Sequence, residues 1–321
     1  MLIINMTNLL NDVSRIPAWH SIRTHQIPQG CISKVIRHNV LFYKQRQDAM
    51  DDNVKQKITE VFDTVSKQYD NPATRFFPYC ADRLITHLQP HPGYKVLDIA
   101  TGTGAVAMPA AQAILPGGRV QAIDLSANML DVAAQNLQRV GIDNVDYHVM
   151  DAGELDFKSN YFDAITCSFG IFFLPDMLAA LKEWIRVLKP GGRLMFTSFA
   201  QSAFLPLSET FRNDMESYGV TFPEGSWMRL TETEQCQELL QQAGFNHIQI
   251  LAEQIGYHLN GAEDWWEIIY NTGYRGFIDS LDNQQLGDFR QKHLENIQQH
   301  KTKDGIWLDV MTLFSSGQKP A

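Results

Sequence analysis

Cysteine is scarce and unpatterned in this chain: the four residues, Cys31, Cys80, Cys167 and Cys236, include no Cys-x-x-Cys and no histidine partner at metal-ligating spacing. That excludes a disulfide scaffold and a zinc site of the usual spacing, and makes a reducing, cytoplasmic compartment the expectation. No apolar run reaches the roughly 18 residues that a membrane-spanning helix needs, so no transmembrane segment is expected. Basic charge is in deficit, with 27 Lys and Arg against 36 Asp and Glu and a net charge of −9. The first 49 residues hold six basic and two acidic residues, so the remainder carries −13. A body that negative argues against a nucleic-acid partner. What is present is a 321-residue chain with 44% hydrophobic residues, enough to bury the core of one large domain or of a domain with a cap.

The most informative stretch is Val96-Leu97-Asp98-Ile99-Ala100-Thr101-Gly102-Thr103-Gly104-Ala105. An apolar run containing an acid and followed by glycines describes a buried parallel strand whose tip lets a ligand approach the backbone. A second apolar run, Val120-Gln121-Ala122-Ile123, ends in Asp124, where a carboxylate can accept both hydroxyls of a ribose. Gly102 to Ala107 also satisfies the dinucleotide pattern with Ala in its third slot, so an NAD(P)-dependent oxidoreductase is one reading. Asp98 favours another. A carboxylate there would face the phosphates of a dinucleotide but would attract the ammonium of an amino-acid moiety, which S-adenosylmethionine carries without any phosphate.

Four more segments accompany the turn: Ser66-Lys67-Gln68-Tyr69-Asp70, Asp124-Leu125-Ser126-Ala127-Asn128-Met129-Leu130, Phe162-Asp163-Ala164-Ile165-Thr166-Cys167-Ser168-Phe169-Gly170, and Arg186-Val187-Leu188-Lys189-Pro190-Gly191-Gly192-Arg193-Leu194. In order and spacing, over roughly residues 57–200, the chain resembles the class I S-adenosylmethionine-dependent methyltransferases, within them the type acting on ubiquinone and menaquinone precursors. The resemblance implies an α/β, doubly wound, seven-stranded Rossmann-like sheet with its last strand antiparallel, S-adenosylmethionine as cofactor, and a small-molecule methyl acceptor as partner. It also implies site residues. Asp98 would orient the ammonium, with Ala100, Thr101, Gly102 and Gly104 supplying backbone contacts. Asp124 would take the ribose, with Leu125 beside it, and Met129 would cover one adenine face. Asp151 would accept from the adenine amino group, and the Ala152 N–H would reach a ring nitrogen. Ser168 and Phe169 would lie at the methyl, and Tyr69 would fold over the cofactor.

The family-like sequence begins near Met50, leaving residues 1–49 as an acid-poor leader interrupted by Pro17, Pro28 and Gly30. An over-long start or a poorly ordered arm fits it better than a transit segment, because serine richness and helical amphipathicity are missing. Residues 50–321 then form the methyltransferase domain. Helical patterns at 53–67 and 73–88 precede strand 95–100, helix 105–115 and strand 119–124. A helix from Ser126 leads to strand 145–150. Strand 163–168 is followed by a helix opened by Asp176, a Pro190-Gly191-Gly192 turn and strand 193–199. Thr231 and Glu234 suggest a capping box for a helix ending at Gly244. Two long strands, near 247–256 and 306–315, close the sheet. Residues 201–229 and 260–304 exceed a bare sheet and carry Phe204, Leu205, Trp227, Met228, Trp265, Trp266, Ile269, Tyr270, Tyr274 and Phe277, so they are read as helical insertions over the core, an acceptor site, or both.

A sulfonium methyl is already activated, so transfer by in-line displacement mainly requires that acceptor and methyl be close, collinear and dry. No metal is expected. The strand end Cys167-Ser168-Phe169-Gly170 lacks the Asn/Asp-Pro-Pro-Tyr of enzymes that methylate planar amines, and Cys167 lacks the preceding proline of pyrimidine C5 enzymes. The quinone-type enzymes follow Phe-Gly with an Arg-Asn pair, where this chain has Phe172 and Phe173 after Ile171. That departure loosens the quinone assignment and leaves an apolar or aromatic acceptor. No catalytic base stands out among His148, His258, Glu263, Asp264 and His293. A non-catalytic cofactor-binding module remains a further alternative.

Overall fold

The computed structural model describes residues 53–222 and 228–321, so the expectations for residues 1–49 and for Trp227 lie outside the described residues. A helix over 53–65 (α1) runs into two short 3-10 turns and α2 (Phe76–Leu88). Alternation then follows: β1 (Lys95–Ile99), α3 (Ala107–Ala113), β2 (Arg119–Asp124), α4 (Ala127–Arg139), β3 (Val145–Val149), β4 (Phe162–Ser168), α5 (Met177–Val187) and β5 (Leu188–Phe199). The remainder contains α6 (Leu207–Glu216), α7 (Thr233–Ala243), β6 (Asn246–Gln254), β7 (Tyr257–Leu259), α8 (Ala262–Asn271), α9 (Arg275–Ile278), α10 (Asn283–Gln298), β8 (Ile306–Leu308) and β9 (Met311–Gln318).

Seven strands form one sheet in the order β3-β2-β1-β4-β5-β9-β6, with β9 antiparallel to both neighbours. The first five strands pair in parallel, and β1 and β4 are nearly continuous buried apolar runs because helices cover them. In β1, Val96, Leu97 and Ile99 are fully buried. In α2, Phe76, Cys80, Ala81, Leu84 and Leu88 recur at helical spacing and face inward. The strand order changes direction between β1 and β4, so the carboxyl ends of β1, β2 and β4 open at a topological switch point, where open α/β sheets bind ligands. The fold is the seven-stranded Rossmann-like sheet that the sequence implied, with helices in both long insertions.

Three local expectations are corrected. The Pro190-Gly191-Gly192 segment is a bulge inside β5, where the pairing register slips between Phe162 and Ala164, and Gly191 has φ +77°. The box opening α7 begins one residue later than Thr231: Gln235 Oε1 accepts the N–H groups of Thr231 and Glu232 at 2.9 and 3.2 Å. The strand expected near 247–256 is present as β6, whereas the one expected at 306–315 is split into β8 and β9. β6 and β9 belong to the large sheet, whereas β7 and β8 form a separate two-stranded ribbon. The break has a clear cause: Gln254 Oε1 accepts the N–H of Gly256 and of Val310, while Gln254 Nε2 donates to Asp309 Oδ2 and Asp309 Oδ1 accepts the N–H of Met311. These side chains replace ladder bonds where both strands bend.

Candidate functional site

The site is built from the ends of β1, β2, β3, β4 and β5. Asp98 lies in β1 opposite Ala122 of β2 and Thr166 of β4. It is 1% exposed, and its carboxylate accepts hydrogen bonds from Thr101 Oγ1 (2.6 Å) and Thr166 Oγ1 (2.7 Å). Burial pushes its pKa up to about 6, against the pull of the two hydroxyls, and the nearby Asp124 adds to the rise. Asp98 is not solvent-facing, and it also accepts the N–H of Ala107, the first residue of α3.

After β1 the chain turns on left-handed residues: Ala100 (φ +52°), Gly102 (φ +55°) and Gly104 (φ +88°). A Cβ at Gly104 would lie 2.7 Å from Leu137 of α4, so glycine there also lets the turn close on the helix. Asp124 binds this turn directly. Its Oδ2 accepts the Gly102 N–H and its Oδ1 the Ser126 N–H, both at 2.9 Å, while enclosure raises its pKa. The two acids therefore sit at adjoining strand ends, as expected, with one wired to the glycine turn. Leu125 is half-buried beside Asp124. Met129 is 1% exposed, and its N–H donates to Ser126 Oγ, the N-cap of α4.

Beyond β3, Asp151 Oδ1 accepts the Gly153 N–H at 2.7 Å and Oδ2 pairs with Lys55 Nζ at 2.6 Å. The Ala152 carbonyl is fixed by the Trp184 indole N–H at 2.7 Å. At the end of β4, Ser168 Oγ lies 3.2 Å from Thr197 Oγ1, and Phe169 adopts φ +51° with its ring stacked 4.1 Å from Phe199. Tyr69 is half-buried and stacks on Phe77 at 4.9 Å; desolvation, Asp70 and Asp124 together push its pKa above the usual tyrosine range.

Several partners were not legible in the sequence. Asp70 accepts from Thr103 Oγ1 (2.7 Å) and Asn136 Nδ2 (2.8 Å), and Asp63 accepts from Ser126 Oγ. With Lys55 on Asp151, these bonds tie residues 55–70 to the loops after β1, β2 and β3. Thr166 carried the only usable signal, a hydroxyl within the otherwise apolar run Ala164-Ile165-Thr166-Cys167. An aromatic chain flanks the same end of the sheet: Phe173 meets Phe62, Phe62 meets Tyr69, Phe77 meets Phe169, and Phe204 connects Phe199 to Trp265 and Tyr274.

Four of the five candidate bases are engaged in polar contacts. His148 Nε2 meets Gln121 Oε1 at 2.6 Å, Glu263 pairs with Arg290, and Asp264 accepts from the backbone and side chain of Asn260. The His258 ring packs on Trp307 in the small ribbon. His293 is fully buried, receives the Trp265 indole N–H on Nε2 (2.9 Å) and meets Asp214 Oδ2 through Nδ1 (2.7 Å). The indole contact requires a lone pair on Nε2, so His293 is neutral with its proton on Nδ1, and desolvation lowers its pKa accordingly. Among the described residues no cluster suits a metal ion, and no helix is long and apolar enough to cross a membrane.

A buried acid beside a glycine turn, a second acid at the next strand end and a 3-2-1-4-5-7-6 sheet, with β9 as its seventh strand, define a class I S-adenosylmethionine-dependent methyltransferase. Residues 50–257 match the ubiE/COQ5 methyltransferase family, and the chain belongs to that family. Aklanonic acid methyltransferase DauC of Streptomyces sp. is 36% identical over 148 residues, spanning 46% of this chain and 67% of that enzyme. A demethylmenaquinone methyltransferase of Staphylococcus aureus is 32% identical over 214 residues, spanning 61% and 88%. Among solved structures, YcgJ of Bacillus subtilis superposes with TM-score 0.52 at 20% identity, covering 76% of this chain and 99% of that one, a likeness of fold. The protein is thus an enzyme that transfers a methyl group from S-adenosylmethionine to a small organic acceptor, and the oxidoreductase and non-catalytic readings fall away.

Proposed function

We propose that the acceptor is an apolar, aromatic small molecule, methylated by in-line displacement at the ends of β4 and β5. The aromatic run from Phe62 through Tyr69, Phe77, Phe169 and Phe199 to Phe204 carries this reading. Rings supply large apolar area with little conformational entropy, and they favour a flat acceptor over a hydrophilic amine. DauC is named for aklanonic acid and the Staphylococcus aureus relative for demethylmenaquinone, both small organic acceptors, which supports a small-molecule acceptor here. Phe172 and Phe173 in place of a polar pair add to the apolar character of this end of the sheet.

In this reading S-adenosylmethionine supplies the activated methyl, and the protein supplies position and dryness. Asp98, with Ala100, Thr101, Gly102 and Gly104, holds the amino-acid end. Asp124 and Leu125 hold the ribose, while Asp151, Ala152 and Met129 hold the adenine. Ser168, Phe169 and Tyr69 bound the methyl. A phenol or activated carbon of low pKa needs no strong base, in keeping with the polar contacts that occupy His148, Glu263, Asp264 and His293. Buried, unbridged Cys80, Cys167 and Cys236 support a cytoplasmic, reducing setting. The test is tritium transfer from methyl-labelled S-adenosylmethionine to demethylmenaquinol, aklanonic acid and a glycine control. Label in either ring compound supports the proposal, and label in glycine alone defeats it.

A further inference from the structure

Phe169 is an unusual residue to find at φ +51°, because a bulky side chain in the left-handed region is sterically strained. Such strain persists only where the surroundings over-determine it. Here the Phe169 N–H donates to Thr197 Oγ1 at 3.1 Å and to the Thr197 carbonyl at 3.3 Å. The Thr197 side chain is fully buried, and its hydroxyl also lies 3.2 Å from Ser168 Oγ and receives Cys80 Sγ–H at 3.8 Å. Two residues further along β5, Phe199 stacks on the Phe169 ring with an interplanar angle of 10°. The next residue, Gly170, admits no side chain, since a Cβ would lie 2.7 Å from Ala100 Cβ. The end of β4 is therefore pressed against the cofactor turn while its aromatic ring is held out to one side.

We infer that Thr197 is a positioning residue for methyl transfer: its buried hydroxyl fixes Phe169 in the left-handed conformation that presents the ring, backed by Phe199, as the wall against which the acceptor meets the methyl. The inference rests on the reading of Ser168 and Phe169 as the methyl end of the site. Thr197 touches neither cofactor nor acceptor and acts through the Phe169 backbone. A hydroxyl at this position is otherwise hard to account for in a strand flanked by buried Phe196 and Phe199, where valine has the same shape and no polar atom to satisfy.

The experiment compares T197V, T197S, F169G and the double variant F169G/T197V in the full chain. Glycine adopts a positive φ without strain, so a residue that serves only to enforce it becomes dispensable. T197V is expected to lower kcat about tenfold or more, the scale of a sub-ångström misplacement, with unchanged affinity for S-adenosylhomocysteine by calorimetry. T197S is expected to restore kcat, and T197V to add no further loss on top of F169G. Crystal structures give a readout independent of any acceptor: Phe169 keeps φ near its present value in T197S and leaves it in T197V. Phe169 unmoved in T197V, or additive losses in the cycle, overturns the inference. F169G with undiminished turnover overturns the reading of the methyl end itself, and the inference with it. Should T197V not fold, recovery of folded protein in F169G/T197V supports the inference, and no recovery overturns it.

Discussion

Asp98→Asn separates what this acid does for the cofactor from what it does to the fold. In the unliganded protein its carboxyl is raised from 3.8 to about 6, chiefly by burial. A folded-state pKa above the unfolded one means that the native state prefers the proton. Its stabilising contribution is complete below about pH 4 and lost as pH rises through about 6. At pH 7.5 the shift of roughly two units corresponds to about 3 kcal/mol held against folding, an upper figure because nearby dipoles relax. An amide removes that charge. Thr101 can continue to donate to it, and the Thr166 hydroxyl can turn toward the Leu97 carbonyl 3.4 Å away and accept from the new NH2. The variant is therefore expected to melt several degrees above wild type at pH 7.5, on the scale of about 2–4 °C per kcal/mol for a chain of this size, with the gap closing toward pH 5. It is expected at the same time to lose stabilisation by S-adenosylhomocysteine. Differential scanning calorimetry with and without that ligand at both pH values reads all of this. A variant that melts below wild type at both pH values and still responds to the ligand refutes the reasoning.

Four further outcomes follow from the same geometry. Wild-type affinity for S-adenosylhomocysteine should fall as pH drops below about 6, approaching tenfold per unit, because the ligand ammonium selects the ionised acid; titration calorimetry across pH 5–8 checks it. Asp124→Ala removes the acceptor for the Gly102 and Ser126 N–H groups and should weaken that ligand by about 2 kcal/mol, roughly thirtyfold. Asp214→Leu strands the His293 Nδ1–H and the Asn296 side-chain amide, so it should destabilise the protein by about 1–3 kcal/mol in denaturant melts while leaving cofactor affinity intact. Phe77→Ala shortens the aromatic run beside Phe169 and should raise KM for a ring-bearing acceptor more than it lowers kcat, read in steady-state kinetics.

The sheet was legible because β1, β2 and β4 are largely apolar runs with an acid or a glycine at or just beyond their ends, a pattern that survives without knowledge of neighbours. Asp98 and Asp124 were legible for the same reason. Thr166 was not, since its partner Asp98 lies 68 residues away and the two meet only through the β1–β4 register. The partners of Asp70 and Asp63 were hidden likewise, because only the fold carries these acids to Thr103 and Ser126. The break between β8 and β9 was missed because the mostly apolar run from Ile306 to Phe314 hides a bend made by Gln254 and Asp309, two polar residues that substitute for backbone bonds. Local periodicity reports which face is buried. It carries no record of side chains that cross between elements.

The most direct test is a crystal structure of the enzyme with S-adenosylhomocysteine. The account predicts the ligand's amino group beside the turn that follows Asp98, its ribose hydroxyls on the Asp124 carboxylate, and its sulfur directed at Ser168 and Phe169. A nucleoside bound with its ribose away from Asp124, or with its amino group far from Asp98 and the glycine turn, contradicts it.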